Sequence, residues 1–105
     1  MTKYTPSIGE TLRKLREKSK LPLRKIAHQL DIDQSSLSKI ERNEKRATKE
    51  QIGQLSKIFN VDEQELLIQF NSDNVVYEIK EEENPEKILK VAEKKIAFIK
   101  QSKQQ

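Results

Sequence analysis

Gln34, Ser35, Ser38 and Lys39 fall together on one side of a short helical pattern, opposite Leu37 and Ile40. An amide, two hydroxyls and an ammonium group at that spacing suit the reading of base edges. A Gln amide can make a bidentate contact to adenine, and Lys can donate to O6 and N7 of guanine. A helix with a thin apolar underside and a top of Gln, Ser and Lys fits a DNA major groove.

The stretch that must position these groups runs from Leu23 to Asn43. Ile26, Ala27 and Leu30 form an i, i+1, i+4 apolar set, one face of a first helix. Asp31-Ile32-Asp33 then interrupts the pattern. Asp31 is expected to take the sharp turn with positive φ, which Asp tolerates better than most non-glycine residues. Asp33 is placed to cap the second helix, about residues 34–42, through the amide of Ser35 or Ser36. Asn43 suits a left-handed stop.

Other chemistries find little support. There is no Cys, hence no disulfide framework, zinc-thiolate site or thiol nucleophile. No phosphate-cradling loop, nucleophile elbow or metal spacing is present. Glu81, Glu82, Glu83 and Glu86 lack an accompanying His or other convergent ligand, and the run reads as a solvated loop. His28, the single His, reads as an exposed helical residue. The chain is therefore expected to be no enzyme and to need no cofactor, metal or small-molecule ligand.

Charge supports a polyanionic partner. The net charge of +4 is uneven: residues 1–50 hold 13 Lys+Arg against 7 Asp+Glu, and residues 51–105 hold 8 against 10. The basic half contains the helix pair. No apolar run approaches a membrane span, and the N-terminus has no signal-peptide core. A soluble, cytoplasmic protein is expected.

In chain order, Met1–Pro6 reads as a frayed arm. Ser7 and Glu10 suit a capping box for a helix whose apolar face is Ile8, Leu12 and Leu15. Pro22 starts the second helix at little cost. Thr48 and Gln51 box the fourth helix, with Ile52, Leu55, Ile58 and Phe59 inward. Asp62 caps the fifth, with Leu66, Leu67 and Phe70 inward. Residues 71–83 admit two readings: a continuation of that helix, which is favoured, or an edge strand over Val75-Val76-Tyr77. Asn84 and Pro85 then start a last helix to about Lys100. Its Leu89, Ala92, Ile96 and Ile99 recur at i, i+3, i+7, i+10, a narrow seam for a second helix. Tyr77 and Phe98 read as packing residues, and Gln101–Gln105 as a disordered tail.

Residues 8–70 resemble the repressor/Cro-type helix-turn-helix family, often called XRE. The resemblance rests on IGETLRKLREKSKL, LRKIAHQLDIDQSSLSKIERNEKR and IGQLSKIFNVDEQELL, and its span covers about three-fifths of the chain. It implies an all-α fold with a five-helix DNA-binding domain over residues 1–70; residues 71–105, beyond those five helices, read from their apolar seam as a dimerisation extension. It implies a DNA-binding transcriptional regulator, homodimeric on a near-palindromic operator, such as a phage-type repressor or a restriction-modification controller. Gln34, Ser35 and Lys39 match base-facing positions, with Ser38 beside them. Asn43, Lys45 and Arg46 match the loop that holds the DNA backbone, and Arg42 is a further candidate there. Arg16 and Glu41 match a structural ion pair. Asp31 departs from the family's usual Gly. Pro22 and Leu23 replace polar residues that touch phosphate, and Asp33 puts a carboxylate near the backbone. A different class of function, an interaction module such as an antitoxin or anti-regulator, would work instead through the last helix.

Overall fold

The structure is a computed structural model that describes residues 4–103. It is all-α, with helices α1 (Ile8–Ser19), α2 (Leu23–Leu30), α3 (Gln34–Glu41), α4 (Lys49–Phe59), α5 (Glu63–Ile79) and α6 (Pro85–Lys103). Residues 1–3, half of the arm expected at the N-terminus, lie outside the described chain.

Short polar side chains set the helix boundaries. Ser7 accepts from the Glu10 amide at the start of α1, and α1 ends on Lys20 in the left-handed region, φ 57°. The reciprocal half of that box is diverted, because the Glu10 carboxylate accepts from the hydroxyls of Tyr4 and Ser7. Pro22 opens α2 without a side-chain cap, and Asp31 closes it at φ 57°. Asp33 caps α3 through the Ser36 amide at 2.7 Å. At the other end Asn43 turns the chain with φ 64°. Thr48 and Gln51 form both halves of the α4 box, and Asn60 ends that helix at φ 53°. Each αL stop frees the chain to reverse within a few residues, so the early helices pack closely.

The core draws on α1 to α4 and the first half of α5. Leu12, Ile26, Leu37, Ile52 and Leu55 are essentially inaccessible. α3 packs on both α1 and α2, and α4 packs on the same two helices. α3 therefore rests on a floor built by its neighbours.

α5 continues as helix through Asn71–Asn74 to Ile79, so the edge-strand alternative for residues 71–83 is excluded. The helix is tied to α1 as far as Asp73. Gln69 and Asp73, one turn apart, both face the start of α1. Gln69 Oε1 accepts from the Thr11 hydroxyl at 2.7 Å, and Asp73 Oδ2 accepts from the Ile8 amide at 2.7 Å. The Ile8 amide is an orphan donor at a positive helix terminus, where a carboxylate is favoured.

The chain divides into two compact units between Asp73 and Asn74. Among the described residues, the second unit has no buried side chain. Pro85 takes the first position of α6, and the Ile88 amide donates to the Asn84 carbonyl at 3.1 Å. α6 runs to Lys103, so residues 101–103 are helical rather than disordered; residues 104–105 lie outside the description. Gln, Ser and Lys offer no helix breaker there, and Lys100 and Lys103 suit a helix C-terminus. The apolar side of α6 is also wider than a narrow seam. Ile88, Val91 and Phe98 extend it beyond Leu89, Ala92, Ile96 and Ile99.

Candidate nucleic-acid interface

α2, the turn at Asp31–Asp33 and α3 form a two-helix unit with α3 outermost in its polar chemistry. Leu37 and Ile40 are buried under α3, at 1% and 3% exposure. Gln34, Ser35 and Lys39 are exposed on the opposite side, and Ser38 is half-buried beside them. The pattern i, i+3 inward with polar residues between has become a helix that shows solvent one continuous polar strip.

Two clamps fix this helix. Arg16 on α1 donates from Nε to Glu41 Oε2 at 2.7 Å and from Nη2 to Oε1 at 3.1 Å, a fork-to-fork pair. Glu41 is buried at 8% exposure, and the Glu41 interaction raises the Arg16 pKa above its ordinary value. Arg16 also donates to the Leu21 carbonyl at 3.4 Å, which ties in the chain before α2. The second clamp is Gly9. A Cβ there would lie 2.5 Å from the Ile40 carbonyl oxygen and 2.5 Å from Asn43 Oδ1. α1 therefore meets the end of α3 backbone to backbone. A Gly inside a helix is the sequence signal for such an approach, but nothing in the sequence names its partner.

The structure sorts the candidate contact residues by what they already hold. Ser35 donates to Asp33 at 2.9 Å, and Lys45 donates to the Ser36 hydroxyl at 3.2 Å. Arg42 donates from Nη1 to the Ser38 hydroxyl and from Nε to Glu44 at 2.7 Å. Asn43 donates to the Ser7 hydroxyl at 2.8 Å, joining the recognition-helix stop to the α1 cap. Arg46 is exposed on the same loop. Gln34 and Lys39 are both exposed and stand at opposite ends of the strip.

Two carboxylates temper this surface. Asp33 is held below its ordinary pKa, first by the Ser36 amide, then by the hydroxyls of Ser36 and Ser35, with the Lys45 charge adding to this. Glu44 is held below its ordinary pKa chiefly by its hydrogen bond to Arg42 and that residue's charge, with Lys39 adding to it. Glu44 partners Arg42 on the rim of the strip, a role no spacing in the sequence revealed. The second unit holds the remaining candidates: Leu89, Ile96 and Ile99 are 43%, 54% and 52% exposed, and Ala92 is half-buried.

Among the described residues, no cluster of His, Cys, Asp or Glu is suited to hold a metal ion. No helix among them is long and apolar enough to cross a membrane.

A capped outer helix laid across a second helix through a tight αL turn defines a helix-turn-helix unit. The Helix-turn-helix family model matches residues 12–66, more than half of the chain, and the chain belongs to this family, in its XRE type, whose members are DNA-binding regulators. No curated protein matches it. Among solved structures, two of the clp gene regulator ClgR from Corynebacterium glutamicum share the fold. One is 23% identical with a TM-score of 0.53, covering 63% of this chain and 86% of that one. The other is 20% identical with a TM-score of 0.54, covering 88% and 84%.

Proposed function

We propose that this protein is a sequence-specific regulator of transcription that binds double-stranded DNA as a homodimer, in the cytoplasm and without cofactor or small-molecule ligand. α3 enters the major groove, and two copies of it read the halves of a near-palindromic operator about one DNA turn apart. Gln34 and Lys39 carry most of the base readout, through adenine and guanine respectively. Ser35 and Ser38 add to it by exchanging internal hydrogen bonds for bonds to bases or water. Arg42, Asn43, Lys45 and Arg46 hold the DNA backbone. Residues 1–70 carry this role, and residues 71–105 supply the dimer contact through Leu89, Ala92, Ile96 and Ile99.

The observation that carries the reading is the polar strip on α3. It is clamped from below by Arg16–Glu41 and Gly9, while Gln34 and Lys39 remain exposed at its ends. A reading helix needs that combination, because rigid placement makes a contact pattern specific. Selection of bound duplexes from a random pool tests it. The expected result is a motif with two-fold symmetry, bound with an affinity that falls steeply with salt as counterions are released. Recovery of no motif, or binding indifferent to salt, would overturn it.

A further inference from the structure

We propose that α6 pairs antiparallel with α6 of a second copy of this chain, in a register that sets Leu89 against the copy's Ile99 and Ala92 against the copy's Ile96. The proposal rests on the homodimer reading above and specifies how that contact is built. Leu89, Ala92, Ile96 and Ile99 recur at i, i+3, i+7 and i+10 on a helix with no buried residue, with Leu89, Ile96 and Ile99 exposed, so nothing described within the second unit buries the seam. Two observations choose the orientation.

The first is size. Ala92 is the small member of the set. In a parallel pair, equivalent residues meet, so Ala92 faces Ala92 and leaves a thin layer between layers of Ile and Leu. In the antiparallel register every layer joins unlike residues, and each Ala92 receives a large Ile96. Facing large and small side chains is how a helix seam fills evenly.

The second is charge. Glu86, Glu93 and Lys100 follow one flank of the seam, and Ile88, Lys95 and Ser102 the other. Antiparallel helices bring like flanks together. Glu86 then meets the copy's Lys100, and symmetry repeats the pair. Glu93 and Lys95 each approach their own counterpart near the two-fold axis, which offsets those gains. A parallel pair sets Lys95 toward the copy's Lys100 twice and gains nothing in return. The charge pattern therefore favours the antiparallel form by the difference. Val91 and Phe98 lie beyond the seam and take no part.

The chain has no native Cys, so cysteine cross-linking has no background. In the proposed register, Leu89 lies about 15 Å along the axis from the copy's Leu89, ten residues at the helical rise. A disulfide requires Cα atoms within about 7 Å. Leu89→Cys and Ile99→Cys proteins are first sized by light scattering, then mixed under reducing conditions and oxidised. The expected result is a dimer at twice 12.3 kDa in both, with a cross-linked species forming in the mixture and not in either protein alone. Self-cross-linking of each single variant would overturn the antiparallel register and leave the homodimer standing. A monomer of 12.3 kDa before oxidation would overturn the homodimer itself, and the pairing with it.

Discussion

Replacing Arg16 with Ala would strip two donors and a positive charge from a carboxylate that the fold has already buried. Glu41 retains 8% of its exposure, and its side chain sits at 7% against 19% for Arg16. Breaking a fully buried pair from one side costs about 3–5 kcal/mol, mostly through the uncompensated charge left behind. Here water can reach the Arg16 side, so the cost falls to the bottom of that range or just below it, about 2–3 kcal/mol. For a domain of this size that corresponds to a fall in Tm of about 10 °C or more. Urea denaturation followed by far-UV circular dichroism measures it. A second variant isolates the mechanism. Glu41→Gln in the Arg16→Ala background removes the orphaned charge and keeps the shape, and is expected to recover about half of the loss. A cost for Arg16→Ala below about 0.5 kcal/mol, the value for an exposed pair, would refute the clamp. So would an Arg16→Ala/Glu41→Gln protein no more stable than Arg16→Ala alone.

Gly9→Ala places a Cβ 2.5 Å from the Ile40 carbonyl, so it is expected to cost about 1–3 kcal/mol by overpacking, and wild-type stability would show that α1 and α3 do not meet there. Asp31 sits at φ 57°, so Asp31→Gly should stabilise by about 0.5 kcal/mol, whereas Asp31→Val should destabilise by about 1–2 kcal/mol; the reverse order by thermal melting would exclude the left-handed turn. The Asp33 carboxyl is held below its ordinary pKa by the Ser36 amide and the neighbouring hydroxyls. Its cap therefore contributes fully above the unfolded value of about 3.9 and is lost as the pH falls through the folded value. Carboxyl NMR should show Asp33 titrating below the ordinary aspartate value, and a midpoint at or above that value would contradict the cap.

The sequence was most legible where local chemistry decides. Thr48 with Gln51, Asp33 with the Ser36 amide and the positive φ of Asp31 are contests within a few residues, and the residue types settle them. The i, i+3 spacing of Leu37 and Ile40 likewise put the right side of α3 in the core. Legibility failed where the deciding partner was distant. Over Val75-Val76-Tyr77 the favoured helical reading holds, but the bonds by which Gln69 and Asp73 tie α5 to α1, more than fifty residues away in sequence, have no local signal. Asn43 looked like a helix stop near DNA, and its bond to Ser7 could not be inferred from either residue. Gly9 announced a close approach without saying to what. On α6, the i, i+3, i+7, i+10 spacing picks out four residues and passes over Ile88, Val91 and Phe98, which are exposed apolar residues of the same helix. The family resemblance carried the arrangement of the first five helices further than local reasoning could, and it said little about α6.

The most direct test of DNA reading by α3 compares the motif selected by the wild-type chain with that selected by Gln34→Ala/Lys39→Ala. Both side chains are exposed and neither belongs to the core cluster, so the variant should fold as the wild type does. The expected result is loss of preference at the adenine and guanine positions they contact, each worth about 1–3 kcal/mol, with the remaining positions and the half-site spacing unchanged. An identical motif from both proteins would contradict the assignment of α3 as the reading helix.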